Sequence, residues 1–291
     1  MPWLALELTA DRDDYVAVEA ALETAGALSL TLMDSADVPI LEPGVGETPM
    51  WPTISFEALF DADTDPAALL DALMDDLGTL KPQQIRFRWV EDQDWERAWL
   101  DRFKPMRFGQ RLWIVPTGFA TPPAAQVVLK LDPGLAFGTG THPTTELCLR
   151  WLDGLNWSKQ TLLDYGSGSG VLAVAALLLG AGATTAVDND PQALLASGAN
   201  AERNEVQAHL RVQGIDAPLG CYDRLVANIL ASPLIDLAPT LMAALKAGGE
   251  FALSGILSEQ AQWVERAYLP FAKSIAATEL DGWIRLDGIR R

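Results

Sequence analysis

The sequence is poor in the residues that metal chemistry and covalent stapling need. It has two cysteines, Cys148 and Cys221, and two histidines, His142 and His209. Two cysteines cannot build a disulfide framework, and no His, Cys and acid cluster has metal-ligand spacing, so no metal is expected. Cysteine usage this low points to a reducing cytoplasm. Long apolar runs are also missing, and a membrane-crossing helix would need about 18 such residues in a row. The start, Met1-Pro2-Trp3-Leu4, lacks the basic stretch and apolar core of a secretory signal, and none is expected. Bases are scarce in one place. Residues 1–80 hold 17 acids against the single Arg12, a balance of −16, while residues 81–291 hold 22 acids and 20 bases, a balance of −2. Nearly all of the net charge of −18 therefore belongs to the first part. Such a surface repels nucleic acid backbones and attracts a basic protein. A surface that is acidic only for solubility accounts for the charge equally well.

Apolar material, by contrast, is ample: 49% of the 291 residues are hydrophobic, enough for about two domains. The first 90 residues read strand, helix, strand, strand, helix, strand. Trp3 to Leu8 is a short apolar run. Asp11 to Ala25 carries Tyr15, Val16, Val18, Ala21 and Leu22 at helical spacing behind an acidic first turn. Leu28 to Leu32, Thr53 to Phe60 and Gln84 to Trp89 alternate as half-buried strands do. Asp34 to Pro52 is loop-like, and Pro66 opens a second helix reaching Gly78. That order predicts a split β-α-β, ferredoxin-like unit over 1–90. Residues 91–105 predict a charged helix with Trp95, Trp99 and Leu100 on one stripe, either a linker or the first helix of the next domain.

Two strands are expected next, around Leu112 to Val115 and Gln126 to Leu131. From Thr161, strands and helices alternate. Strands are expected at 161–165, 184–187, 209–213, 223–228, 249–255, 274–280 and 283–288, and helices at 169–180, 191–204, 232–246 and 258–270. Such alternation predicts a parallel doubly wound sheet. Only Asp281-Gly282 separates the last two strands, and this hairpin signal makes the final strand antiparallel. A mostly parallel seven-stranded sheet ending in a hairpin is the architecture of class I methyltransferases.

Chemistry is carried by three segments. Leu162-Leu163-Asp164-Tyr165-Gly166-Ser167-Gly168-Ser169-Gly170 reads as a strand, a tight turn and a helix start. Asp188 follows 22 residues after Gly166, where a carboxylate at the next strand end can bind ribose hydroxyls. No Lys followed by Ser or Thr closes the loop, no G-x-G-x-x-G spacing is present, and no basic residue lies between Asp164 and Asp188. That combination suits a ligand with a ribose, no phosphate and its own positive charge: S-adenosylmethionine. The second segment, Leu131 to Glu146, is dense in glycine and threonine with Phe137 among them. It reads as a lid over the cofactor's amino-acid end, or as a surface turn, with Thr144 or Thr145 capping the following helix. The third, Asp223 to Ala231, brings Asn228 to a carboxyl strand end, where open α/β sheets place ligands. Its amide oxygen can orient an incoming amine, which is catalysis by positioning. A lone Asn there is otherwise a turn or cap residue.

Together these segments resemble the PrmA family of bacterial methyltransferases, which act on the large-subunit ribosomal protein L-eleven (L11). The matching stretches are LDPGLAFGTGTHPTTELCLRWL, LLDYGSGSG, AVDNDPQAL with SGANAERN, VANILASPL and GGEFALSGIL, and the resemblance covers essentially the whole catalytic domain, 100–291. The N-terminal region resembles the family's substrate-recognition domain in length and element order. Ser167 stands where the family often has Cys. The resemblance implies an α/β fold class: a seven-stranded class I methyltransferase (Rossmann-like) domain over 106–291, a linker helix over 91–105, and a small ferredoxin-like α+β domain over 1–90. It implies a cytoplasmic, S-adenosylmethionine-dependent protein N-methyltransferase. The substrate would be ribosomal protein L11, methylated on lysine ε-amines and the N-terminal α-amine up to trimethylation, with no nucleic acid or membrane partner. Position by position, it implies cofactor contacts from Thr145, Gly166 and Gly168, a ribose-binding role for Asp188, and a catalytic role for Asn228 beside the methyl donor. General class I geometry makes Asp216 an adenine contact, or else it is a solvent-facing loop acid. The alternatives are a methyltransferase of another protein or small amine, a catalytically silent adaptor, and a nicotinamide-dependent oxidoreductase. The missing G-x-G-x-x-G and the terminal hairpin argue against the last.

Overall fold

The computed structural model describes residues 2–35, 50–77, 83–90, 104–132 and 142–291. Residues 91–103 of the expected linker helix and residues 133–141 of the expected lid lie outside the described residues. The chain divides into two units, Met1–Trp99 and Leu100–Arg291.

The first unit runs β1 (Trp3–Asp11), a 3-10 turn (Arg12–Asp14), α1 (Tyr15–Thr24), β2 (Ser29–Asp34), β3 (Thr53–Phe60), α2 (Pro66–Leu77) and β4 (Gln83–Val90). Its sheet has the order β2-β3-β1-β4, with antiparallel neighbours throughout. This is the split β-α-β arrangement that the element order implies. Strand alternation sends Leu4, Leu6 and Leu8 of β1 and Ile54, Phe56 and Phe60 of β3 to one face, where Val18, Leu22, Leu69 and Leu73 of the helices cover them. On the other face Glu7 and Glu57 stand directly opposite each other. Arg88 resolves that like-charge pair. Its Nε donates to Glu7 at 2.7 Å and its Nη2 to Glu57 at 2.8 Å.

The second unit begins with a three-stranded sheet: β5 (Met106–Phe108), β6 (Leu112–Val115) and β7 (Val127–Lys130). It continues with α3 (Pro143–Gly154), β8 (Thr161–Tyr165), α4 (Val171–Leu179), β9 (Ala183–Asp188), α5 (Pro191–Arg203), β10 (Leu210–Gly214), β11 (Tyr222–Asn228), α6 (Ala231–Ala244), β12 (Leu245–Leu257), α7 (Ala261–Tyr268), β13 (Ala272–Leu280) and β14 (Trp283–Arg290). The large sheet has the order β10-β9-β8-β11-β12-β14-β13. Its first five strands are parallel, and β14 is antiparallel to both neighbours. Asp281 (φ 49°) and Gly282 (φ 78°) both take positive φ between the last two strands, as the tightest hairpin turn requires. Parallel strands are covered on both faces, so Leu225, Val226 and Ala227 are all fully buried. Leu225 and Ala227 meet the α6 and α7 side, and Val226 meets α3 and α4. Cys148 lies wholly inside the latter layer, where burial pushes its thiol up to about 12.

The small sheet is tied to α3 by one carboxylate. Asp153 accepts the main-chain N–H groups of Gln110 (2.6 Å), Arg111 (3.2 Å) and Leu112 (3.1 Å). Gly109, at φ 72°, passes so close that a Cβ there would lie 2.3 Å from an Asp153 oxygen. Three sequence expectations change. The helix expected over 232–246 ends at Ala244, and Leu245 and Lys246 already belong to β12. β5 was not anticipated, because three residues are too few to show a period. The helix expected over 258–270 is a 3-10 turn (Ser258–Gln260) followed by α7, and Leu257 still belongs to the strand.

Candidate active site

The end of β8 turns into α4 through Gly166, Gly168 and Gly170, at φ 76°, 53° and 73°. L-residues with side chains rarely adopt such angles, which explains the alternating glycines. The turn is bolted to β9: the N–H groups of Gly166 and Ser167 donate to the Val187 carbonyl at 2.8 and 3.0 Å. Gly168 N–H donates to Asp188 Oδ2 at 2.8 Å, and Asp190 N–H to Asp188 Oδ1 at 3.0 Å. The Asp188 carboxylate is thus fixed by two main-chain donors and keeps further lone pairs for a ligand. Asp190 caps α5 by accepting Gln192 N–H at 2.8 Å, ahead of Pro191 in the first turn.

Asp164 lies beneath this turn and is completely buried. Its Oδ2 accepts Ala173 N–H at 2.9 Å. Burial pushes its pKa up to about 7; the Ala173 bond opposes the rise and the charge of Asp188 adds to it.

Across the sheet, α3 is capped by His142. Its Nδ1 accepts Thr144 N–H at 3.3 Å. This corrects the expectation that Thr144 or Thr145 would cap: Pro143 takes the first helical position, so the cap falls on the residue before it. Desolvation lowers the His142 pKa, which favours the neutral ring that a cap acceptor needs. The same ring meets Trp283 of β14 edge-on, with centroids 4.8 Å apart.

These elements enclose a cavity of about 800 Å³. Tyr165 and Gly166 line it from β8 and its turn, Asp188 and Asn189 from the end of β9, and Ile215 from the segment after β10. The end of β11 gives Asn228, Ile229 and Leu230, and α6 gives Pro233 and Leu237. Gly255 lines it from β12, Trp283 from β14, and His142 and Thr144 from the start of α3. Gly166, Asp188 and Asn228 therefore converge on one space. Thr145 and Gly168 do not line it and stand behind residues that do. Thr145 is fully buried and its Oγ1 accepts Asn228 Nδ2 at 3.4 Å; Gly168 holds Asp188. Asp216 is not a lining residue, although its neighbour Ile215 is. Sequence reasoning missed His142 and Trp283. As one of two histidines, inside a glycine-threonine loop, His142 carried a usable signal. Trp283 carried none, since an aromatic after a hairpin turn is ordinary strand material.

A family model described as "Ribosomal protein L11 methyltransferase (PrmA)" matches residues 2–291. The chain belongs to the PrmA family. The match covers both units, so the PrmA assignment reaches beyond the catalytic motifs. Among curated relatives, "Ribosomal protein L11 methyltransferase" of Azotobacter vinelandii is 51% identical over 296 residues, with 100% of both chains covered. The protein of that name from Pseudomonas aeruginosa is 51% identical over 293 residues, covering 100% of this chain and 99% of its own. A crystal structure of ribosomal protein L11 methylase from Lactobacillus delbrueckii subsp. bulgaricus superposes with a TM-score of 0.58 at 31% identity, covering 65% of this chain and 98% of that one. Membership of the PrmA family makes the chain a protein methyltransferase, and its seven-stranded sheet is the class I methyltransferase fold.

Proposed function

We propose that the chain transfers methyl groups from S-adenosylmethionine to lysine ε-amines and the N-terminal α-amine of ribosomal protein L11, up to trimethylation. The observation that carries the cofactor is the composition of the cavity wall. Among the described residues it holds one carboxylate, Asp188, two asparagines and no Lys or Arg. A phosphate-bearing ligand would meet no cation there, whereas a sulfonium with a ribose suits it. S-adenosylmethionine would supply an electrophilic methyl group on that sulfonium. The chain does the rest. Asp188, held by Gly168 and Asp190, accepts ribose hydroxyls. The glycine turn lets the main chain approach without a Cβ. Asn228 spends its Nδ2 on Thr145, which leaves Oδ1 to accept an N–H from the incoming amine and aim its lone pair.

The attacking amine must be neutral. A free lysine titrates near ~10.4 and an α-amine near ~7.7–8.0. A largely apolar wall and a nearby positive charge both lower these values. The amine proton then leaves to water before capture, and each methyl added removes one N–H donor.

The first unit supports the choice of substrate. Its acidic surface suits a basic ribosomal protein and disfavours nucleic acid backbones. Among the described residues no helix is long and apolar enough to cross a membrane, and the reaction belongs in the cytoplasm with its substrate.

Mass spectrometry of ribosomal protein L11 after incubation with the chain and S-adenosylmethionine tests the proposal. Gains in single-methyl steps, mapped to lysines and the N-terminus, are expected. No gain while calorimetry shows cofactor binding would refute this substrate, leaving another amine target or a silent adaptor.

A further inference from the structure

The strand facing the glycine turn across the cavity carries an irregularity that the mechanism above does not use. β12 pairs with β14 at Leu253↔Leu286 and again at Ile256↔Ile284. Ser254 and Gly255 therefore stand against the single Arg285, which is a β-bulge. Gly255 has φ 87°. A Cβ there would lie 2.2 Å from the carbonyl oxygen of Ile229 and 2.8 Å from its carbon, separations that no side chain tolerates. The Ser254 carbonyl accepts Ile229 N–H at 3.1 Å, and Ser254 is the register partner of Asn228. From the other side, a Cβ on Gly166 would lie 2.1 Å from Ile229 Cγ2. The bulge thus grips the Ile229 main chain while the cofactor turn abuts its side chain. Gly166, Asn228, Ile229 and Gly255 all line the same cavity.

We propose that the Ser254–Gly255 bulge is a positioning device for methyl transfer. It fixes the Asn228–Ile229 peptide so that the acceptor nitrogen meets a wall and an amide oxygen of set position. Gly255 acts through Ile229 and is a positioning residue. This inference rests on the reading of the cavity as the methyl-transfer site. Later transfers depend on the device most. A methylated amine has fewer N–H groups to orient itself and relies on the shape of the wall.

The test compares full-length wild type, Gly255→Ala and Gly248→Ala. Gly248 also lies in β12 with φ 77°, and a Cβ on it would have no atom within 4 Å, so it reports backbone strain alone. Gly255→Ala is expected to lower kcat on ribosomal protein L11 by about 10- to 100-fold, the cost of roughly an ångström of misplacement. Its cofactor Kd should stay within about threefold by calorimetry, with products accumulating at one and two methyls. Gly248→Ala should match wild type. An unchanged kcat and trimethyl yield in Gly255→Ala, or a parallel loss of cofactor affinity, overturns the inference. If Gly255→Ala does not fold, hydrogen exchange on the wild type decides. The Ile229 amide is expected to exchange as slowly as Val226 and Ala227, and exchange at the rate of an exposed loop overturns the inference. An inactive wild type would refute the proposed substrate instead, and the exchange test would still stand.

Discussion

Asp164→Asn should make the second unit more stable at mildly alkaline pH and no more stable below about pH 4. Asp164 is fully buried, and its Oδ1 has no hydrogen-bond partner among the described residues. Its folded pKa is about 7, raised first by desolvation. In an unfolded chain the same group titrates near ~3.9. The native state therefore binds the proton more tightly. The stability linked to it is full below about pH 4 and is lost as the pH rises through about 7. A rise of about three units, at about 1.36 kcal/mol each, gives a loss of about 4 kcal/mol by pH 8. The Asn side chain keeps an oxygen for Ala173 N–H, and its nitrogen replaces an oxygen that is already unpartnered. The variant should show nearly flat stability between about pH 5 and 8, exceeding wild type by up to about 4 kcal/mol at the upper end. Hydrogen exchange at the buried Leu163 amide of β8 reads the opening free energy of this sheet. A wild type that stays equally stable from pH 5 to 8, or a variant with no advantage at pH 8, refutes the reasoning.

Asp153→Ala strands three main-chain donors and should destabilise by about 3 kcal/mol or more, with Asp153→Asn losing less; thermal melts of both decide this. Arg88→Ala leaves Glu7 and Glu57 face to face. Arg88 is about half exposed, so the cost should be only about 1 kcal/mol and should shrink in 1 M salt, as urea titrations at two ionic strengths would show. Asn228→Ala should cut kcat by about tenfold or more with cofactor affinity within about threefold. Equal losses in both would mean that Asn228 mainly holds the cofactor.

Long periods and strong turn chemistry were the legible parts of this chain. The regular alternation of strands and helices from Thr161 marked the parallel sheet, and Asp281-Gly282 marked the antiparallel ending because two positive φ angles demand such residues. β5 escaped because Met106–Phe108 is shorter than any period. In the site, the glycines and Asp188 were legible because backbone conformation and strand-end position constrain residue type. Local sequence cannot show which of two adjacent threonines faces the cavity. Thr144 lines the cavity and Thr145 is buried beneath Asn228, because a helix turns successive side chains by about 100°. Trp283 reaches His142 only through a fold that places residues far apart in the chain side by side.

The position of β14 has a kinetic consequence. It follows β13 in the chain but lies between β13 and β12 in the sheet. Its pairing with β13 is local and fast to form, whereas its pairing with β12 closes a longer loop and is slower. The finished hairpin must still dock on the edge of β12 to complete the sheet. Until it lands, the wall supplied by Trp283 is missing and β12 presents an unpaired edge open to the wrong strand. Competence to hold a ligand should therefore appear only once this docking is complete, not when the parallel strands alone have formed.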